Sequence, residues 1–201
     1  MRTILTLLLF VPLISFSQIS SFVDSRDGKE YKSVKIGEQV WVAENLAFKA
    51  DSGNYWAYNN DTNNISIYGF LYDWETANEV CPSGWHLPSR NEWSELFYYL
   101  GWEDALEKLK STSNWKVSGN GNNESGFNAI AGGEFYKGDY QYIDSIGSWW
   151  TSSSHGEVNT SYWTFNINYT LPGQSPYHIM NGIKINGSHS IAGLSVRCIE
   201  D

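Results

Sequence analysis

A covalent bond between two cysteines would constrain the fold of this chain more than any other single feature. The two are Cys81 and Cys198, so a disulfide would tie the middle of the chain to its end. In the chain-entropy model, closing so long a loop stabilises a protein by about 4–5 kcal/mol. In an exported protein, two cysteines most simply form a pair. The alternative is a redox or metal role, but the sequence has no CxxC, and His86 near Cys81 lacks two further ligands at metal spacing.

The first residues predict the compartment. Arg2 gives a short positive segment, Ile4–Phe16 is mainly apolar, and Ser15 and Ser17 are small residues at positions −3 and −1 before Gln18. This is the pattern of a secretory signal peptide, and the run is shorter than the about 20 residues that a spanning helix needs. We therefore expect cleavage and a secreted protein, extracellular or at the cell surface. An uncleaved anchor or a buried helix is the alternative.

The rest of the chain has the size and charge of one acidic domain. The 201 residues carry 13 basic and 22 acidic side chains, a net charge of −9, which becomes one unit more negative if Arg2 is removed with the signal peptide. Nucleic acids and anionic membrane surfaces need clustered Lys and Arg, so this balance argues against both. No second long apolar run appears, so we expect no membrane span after signal removal. The predicted segments are residues 1–17 (signal peptide), 18–26 (N-terminal leader) and 27–201 (a single domain).

Local patterns predict a hairpin followed by helices. Residues 29–42 carry β-prone side chains around a Gly37-Glu38 turn. Asp73 is a candidate N-cap for a short helix over residues 72–80. The strongest local signal is a capping box over residues 89–92, which begins a helix. Apolar residues then recur at helical spacing and predict its core face: Trp93, Leu96, Phe97 and Leu100.

The second half of the chain reads as short strands. Gly, Asn and Ser separate β-type runs over residues 127–131, 133–136, 148–152, 162–167, 183–185 and 195–199. Residues 51–66 and 118–126 read as polar loops, and residues 103–110 as a second amphipathic helix. Strands, then helices, then strands predict an α+β domain with short antiparallel strands, two or three helices and one disulfide.

Five blocks of the sequence resemble the Fibrobacter succinogenes major paralogous domain. The most specific is Cys81–Ser89 (CPSGWHLPS), followed by Glu92-Trp93 and Leu96. Two blocks precede it, residues 41–46 (WVAENL) and 68–74 (YGFLYDW), and two follow it, residues 149–153 (WWTSS) and 195–198 (SVRC). Their order agrees, and the resemblance covers the chain from about Asp27 onward.

The resemblance implies a C-type-lectin-like fold, related to the formylglycine-generating, sulfatase-modifying group. In lectin-like folds a disulfide commonly ties the region of a core helix to the last strand, which is where Cys81 and Cys198 stand. The sequence also departs from its relatives. Residues 54–67 lack the cysteine pair often found there, and the Glu-Pro-Asn and Gln-Pro-Asp triplets of calcium-dependent lectins are missing. The paired reactive cysteines of the oxidases are missing too, so neither chemistry carries over.

No catalytic constellation is evident in the sequence. The histidines, His86, His155, His178 and His189, are scattered, and no zinc, nucleophile-elbow or phosphate-loop motif appears. The carboxylates Asp73 and Glu92 are explained as helix caps, and His86 as a packed, hydrogen-bonded core residue. We predict no catalytic residue, no metal site and no cofactor.

The candidate ligand-binding residues are Tyr55, Trp56, Tyr58, Asn59 and Asn60. Flat aromatic faces beside short amides suit sugar rings, because C–H faces stack while hydroxyls hydrogen-bond. The alternative is that these aromatics fold onto the core. A second candidate loop covers residues 153–159.

The signal-peptide pattern, the family resemblance and the aromatic loop together predict an exported noncatalytic binding module, whose ligand is a glycan or a cell-surface protein. The alternatives are an enzyme related to the sulfatase-modifying oxidases or to carbohydrate hydrolases, and a structural envelope protein.

Overall fold

The computed structural model describes residues 18–102, 104–116, 119–154, 162–168, 180–183 and 192–201. The predicted signal peptide lies outside these ranges. The strands are β1 Gln18–Val23, β2 Glu30–Ile36, β3 Gln39–Val42, β4 Tyr55–Trp56, β5 Leu71–Tyr72, β6 Trp85–His86, β7 Glu134–Tyr136, β8 Asp139–Gln141, β9 Ile146–Ser154, β10 Tyr162–Asn168, β11 Met180–Ile183, β12 Ala192–Gly193 and β13 Ile199–Glu200. The helices are α1 Ile65–Tyr68, α2 Trp74–Glu79, α3 Arg90–Leu100 and α4 Ala105–Leu109. Two 3₁₀ turns, Tyr58–Asn60 and Thr62–Asn64, precede α1.

The largest sheet among the described residues is antiparallel, with strand order β1-β2-β3-β13-β6. The predicted hairpin is confirmed as β2 and β3, in register from Ile36 opposite Gln39 to Ser33 opposite Val42. Gly37 in its turn has φ 63°, a left-handed conformation that glycine adopts without steric cost. Strand β13, near the end of the sequence, lies between β3 and β6 and so joins the hairpin to the middle of the chain.

The predicted helix starts are confirmed. Asp73 caps α2 by accepting a hydrogen bond from the backbone N–H of Thr76 at 2.9 Å. At α3 both halves of the capping box are present: Ser89 Oγ accepts from the Glu92 N–H, and a Glu92 carboxylate oxygen accepts from the Ser89 N–H. The apolar stripe of α3 is buried at all predicted positions, Trp93, Leu96, Phe97 and Leu100. The amphipathic segment over residues 103–110 contains α4.

Several predicted loops and strands differ from the structure. Residues 51–66, predicted as one polar loop, contain β4, both 3₁₀ turns and the start of α1. Phe127, Ala129 and Ala131 are buried, but their segment forms only an isolated bridge, from Ala129 to Lys110. Of residues 195–199, only Ile199 belongs to a strand, β13, while Ser195 forms an isolated bridge to Trp149. The two strand errors share a cause: β-prone composition reports burial, whereas a strand also needs a neighbouring strand to pair with.

Two clusters of buried side chains form the core. One is built around Trp41, Trp93, Trp149 and Phe127, and packs α3 against the β2–β3 hairpin. The other contains Tyr31, Tyr72, Trp150 and Cys198, with Cys81 at its border. The predicted disulfide is confirmed: the Cys81 and Cys198 sulfurs are 2.05 Å apart, and their Cα atoms 5.9 Å.

The fold is therefore a mixture of antiparallel sheets and a few helices with one disulfide, as the α+β prediction states. Among the described residues, no helix has the length and apolar character required to cross a membrane.

Candidate ligand-binding site

Three half-buried aromatic rings form a connected surface that we call the aromatic ledge, defined by Trp56, Phe135 and Tyr140. The Trp56 and Phe135 rings stack with centroids 4.4 Å apart and planes inclined by 24°. Tyr140 tilts against Phe135 at 5.0 Å. The rings come from separate parts of the chain, because β4 supplies the first while the β7–β8 hairpin, with Phe135 opposite Tyr140, supplies the others.

A glycine in β12 lets Trp56 lie close to the backbone. A Cβ atom added to Gly193 would come within 2.7 Å of the Trp56 ring, a distance that carbon atoms do not tolerate. Gly193 also stands opposite Phe135 in the β12–β7 pair. The Trp56 ring is therefore held against both Phe135 and the backbone of β12, and it is only partly buried.

The residues after Trp56 form the polar border of the aromatic ledge. Asn59 and Asn60 are exposed and have φ values of 56° and 55°, a left-handed conformation that asparagine tolerates better than most residues. The Tyr140 hydroxyl donates to Asn60 Oδ1 at 2.7 Å, which joins this border to the rings. Tyr58 packs behind the ledge against Tyr140 at 5.3 Å and is only 5% exposed.

Tyr55 points elsewhere. Its ring packs edge-on against Phe70 at 5.1 Å and near Tyr72 at 6.3 Å, within the second core cluster. The structure thus brings Trp56 and Asn60 together at one surface, places Asn59 in solvent beside them, and turns Tyr55 and Tyr58 toward the interior. Ligand binding by any of these residues stays a prediction.

The sequence did not reveal the other two rings of the aromatic ledge. Phe135 and Tyr140 stand about eighty residues beyond Trp56, and only the pairing of β7 with β12 brings them to it. The sequence signal that could have found them is the run of β-prone residues on either side of the Lys137-Gly138 turn. It predicts a hairpin with Phe135 opposite Tyr140 and both rings on one face.

Burial acts on two phenols, that of Tyr140 in the aromatic ledge and that of Tyr58 behind it. Desolvation raises the pKa of Tyr58 and of Tyr140 above the ordinary tyrosine value, although a backbone hydrogen bond acts in the opposite direction in each case. At neutral pH the Tyr140 hydroxyl is therefore a neutral donor, and Asn60 is a neutral acceptor. The surface offers ring faces, hydroxyl and amide groups, which are the groups that bind uncharged polar ligands.

A separate polar cluster surrounds His86. Its Nδ1 lies 2.8 Å from Asp201 Oδ1 and its Nε2 lies 2.9 Å from Glu92 Oε1. The His86 side chain is 41% exposed, so the expectation of a hydrogen-bonded residue agrees with the structure, while the expectation of a core position does not. In the described part of the chain, no group of three or more His, Cys, Asp and Glu residues is arranged to hold a metal ion.

Most of the second candidate loop lies outside the described residues. The residues outside are 155–159. The described Ser153 is engaged locally, because its hydroxyl accepts a hydrogen bond from the Arg90 N–H at 3.0 Å and joins β9 to the first turn of α3.

Comparison with known proteins identifies the family. No curated protein and no solved structure matches the chain. The sequence profile described as the Fibrobacter succinogenes major domain matches residues 34–200, which include the aromatic ledge, His86, Glu92 and both cysteines. The match begins within β2 and ends at the last residue of β13, so it contains most of the described fold. This chain is a member of the Fibrobacter succinogenes major domain family.

Proposed function

We propose that the protein is an exported, noncatalytic binding module of C-type-lectin-like fold, and that it binds a neutral glycan at the aromatic ledge. The observation that carries the proposal is the stack of Trp56 on Phe135, continued by Tyr140 and bordered by exposed Asn59 and Asn60. Aromatic faces take the C–H side of a pyranose ring, and amide groups hydrogen-bond its hydroxyls. The resemblance of the sequence blocks and the signal-peptide pattern support the fold and the export.

Rigidity of the aromatic ledge favours binding. Ordering a side chain on association costs about 0.5–1.5 kcal/mol, and a ring already fixed by its neighbours avoids much of that cost. Trp56 is held by Phe135 and by the Gly193 backbone, and Tyr140 by its bond to Asn60. The surface is therefore preorganised for a flat ligand.

Charge favours a neutral glycan over an acidic one. The chain carries a net charge of −9, which repels polyanions at low salt. The groups at the ledge itself are uncharged. We expect neutral hexose or N-acetylhexosamine polymers to bind better than uronic acid or sulfated ones.

The His86 cluster supports a structural role better than a catalytic one. A general base needs a ring nitrogen within reach of substrate, and both nitrogens of His86 already contact carboxylates. Glu92, one of those carboxylates, is also engaged with the N-terminus of α3.

A glycan array with the exported protein tests the proposal. Trp56→Ala should lower affinity for the best neutral glycan at least about tenfold, because one lost stacking contact is worth about 1.4 kcal/mol. Asn59→Gly should weaken binding with the fold intact, since glycine accepts the left-handed backbone at this exposed position. Trp102→Ala, which removes a 48% exposed ring elsewhere, is the matched control.

Folding of each variant is checked by circular dichroism and thermal unfolding. If folded Trp56→Ala and Asn59→Gly proteins both bind like the parent, the ledge is not the site. If the parent binds no neutral glycan on the array, the neutral-glycan proposal is wrong.

A further inference from the structure

In the described part of the chain, strand β1 forms an edge of the main sheet, and its own sequence lacks the residues that usually prevent edge pairing. It pairs with β2 on one side, and among the described residues no strand pairs with its other side. Its sequence, Gln-Ile-Ser-Ser-Phe-Val, contains no charged residue and no proline. Natural proteins protect exposed edges with lysine, proline, bulges or covering loops, because unpaired N–H and C=O groups are a template for another strand.

The β1–β2 register shows which residues present their backbone to this free edge. The register pairs Val23 with Glu30, and one step further Asp24 stands opposite Lys29, where the Asp24 N–H donates to the Lys29 C=O at 2.9 Å. Hydrogen-bonded and non-hydrogen-bonded pairs alternate along an antiparallel ladder. Backbone groups of Ser20 and Phe22 therefore point toward β2, and those of Ile19, Ser21 and Val23 point outward.

The side chains of these outward residues share one face of the sheet. Ile19 and Val23 are 63% and 62% exposed, the largest apolar exposures on the described part of β1 and β2. They are spaced four residues apart with Ser21 between them. Turning a copy of β1 by two-fold rotation about Ser21 therefore places Ile19 opposite the Val23 of the copy, and Val23 opposite its Ile19.

We propose that β1 pairs antiparallel with β1 of a second copy of this chain, centred on Ser21, so that the two main sheets become one. In this register every outward N–H and C=O of Ile19, Ser21 and Val23 receives a partner. Each exposed apolar side chain gains a cross-strand apolar neighbour, an arrangement that stabilises antiparallel pairs. Absence of charge in β1 keeps like charges away from the contact.

Neighbouring registers satisfy fewer groups. A rotation centred on Ser20 pairs Ile19 with Ser21 and leaves Val23 without a described partner. A six-residue strand pair is smaller than a standard interface, so the dimer is weak and concentration-dependent. The contact is distinct from the aromatic ledge, and its failure leaves the glycan proposal untouched.

Sedimentation velocity of the exported protein, from about 5 to about 500 µM, tests the proposal after mass spectrometry has defined its N-terminus. The wild type should shift from monomer toward dimer over this range. Ser21→Pro removes the central outward N–H while leaving the bonds to β2, and Ile19→Lys places charge at the contact. Both variants should stay monomeric, whereas the matched control Ile67→Lys, at a 47% exposed residue of α1, should behave as the wild type.

Hydrogen exchange provides a second measurement. The amides of Ile19, Ser21 and Val23 should exchange more slowly at high than at low protein concentration, and those of Ser20 and Phe22 should not change. A wild type that is monomeric throughout overturns the proposal. So does a dimer that both β1 variants retain, since another surface would then form it.

Discussion

At the scale of a single residue, Arg197 joins the end of β3 and the residues just after it to residues 127–128. It is fully buried, and its guanidinium donates to Asn45 Oδ1 and to the carbonyls of Val42, Phe127 and Asn128 at 2.7–3.0 Å. Burial lowers the pKa of Arg197 to about 9, which still leaves it charged at neutral pH. The planar guanidinium of arginine presents five N–H donors and can reach oxygens in several directions. The compact ammonium of lysine cannot reach all of them at once.

Replacing Arg197 tests this role. Arg197→Met should lower the free energy of unfolding by about 3 kcal/mol or more, because several buried oxygens would lose their donor. Arg197→Lys should recover only part of this loss. Urea unfolding measures both, and Lys49→Met, at an exposed residue, should change stability by less than about 0.5 kcal/mol. An Arg197→Met protein as stable as the wild type would show that the oxygens find other partners.

At the scale of elements, the N-terminus of α3 is where three segments meet. Glu92 bonds the Ser89 N–H and His86 of β6, and His86 in turn bonds Asp201, which follows β13. Partial burial acts to lower the pKa of His86, but the hydrogen bonds to Glu92 and Asp201 outweigh it and raise that pKa. Burial acts to raise the pKa of Glu92, but bonds from Ser89 and His86 outweigh it and lower that pKa.

These shifts predict a pH dependence of stability. The stabilisation that comes from a raised histidine pKa is fully present below the unfolded pKa of about 6.5. It is lost as the pH rises through the folded pKa. The stabilisation that comes from a lowered glutamate pKa is fully present above the unfolded pKa of about 4.3. It is lost as the pH falls through the folded pKa. The cluster should therefore stabilise most between about pH 5 and 6, by a modest amount, because solvent screens these half-exposed groups.

Urea unfolding at about pH 5.5, 7 and 8.5 measures this dependence. His86→Gln should reduce the loss of stability between pH 5.5 and 8.5 relative to the wild type. Glu92→Gln should do the same while keeping the capping box, since glutamine also reaches back to the N-cap N–H. Wild-type and His86→Gln curves that stay parallel across the range would remove the cluster from the pH response.

At the scale of the whole molecule, the Cys81–Cys198 disulfide closes a loop of 117 residues. It joins the segment after α2 to the residue before β13, and Cys198 is fully buried in the second core cluster. The loop contains α3, α4 and the β7–β8 hairpin, so the bond restricts the unfolded chain over much of the domain.

Removing the bond should lower the free energy of unfolding by about 2–5 kcal/mol, the range typical of native disulfides in small secreted domains. We expect the double variant Cys81→Ser with Cys198→Ser to unfold at a lower urea concentration than the wild type. Under reducing conditions, the unfolding midpoint of the wild type should approach that of the double variant. A double variant with unchanged stability would mean that packing alone holds β13 in place.

The parts of the fold that were predicted correctly depend on nearby residues. The capping box at Ser89, the cap at Asp73 and the turn at Gly37 each require chemistry within four residues, which a sequence displays directly. The strand predicted over residues 127–131 failed because pairing depends on distant partners. The candidate site was divided for the same reason: adjacent Tyr55 and Trp56 turn toward different neighbours.

The sequence by itself determined the α+β composition, the helix starts and the β2–β3 hairpin, because each follows from local geometry. It also determined the cysteine pairing, because a chain with two cysteines allows only one pair. Only the tertiary structure decided that Trp56 stacks on Phe135 and Phe135 meets Tyr140, that Tyr58 is buried, and that β1 ends the main sheet of the described residues. These depend on which segments pack together across tens of residues. That choice is made by the sum of many small burial energies over the whole chain, which no single residue pattern expresses.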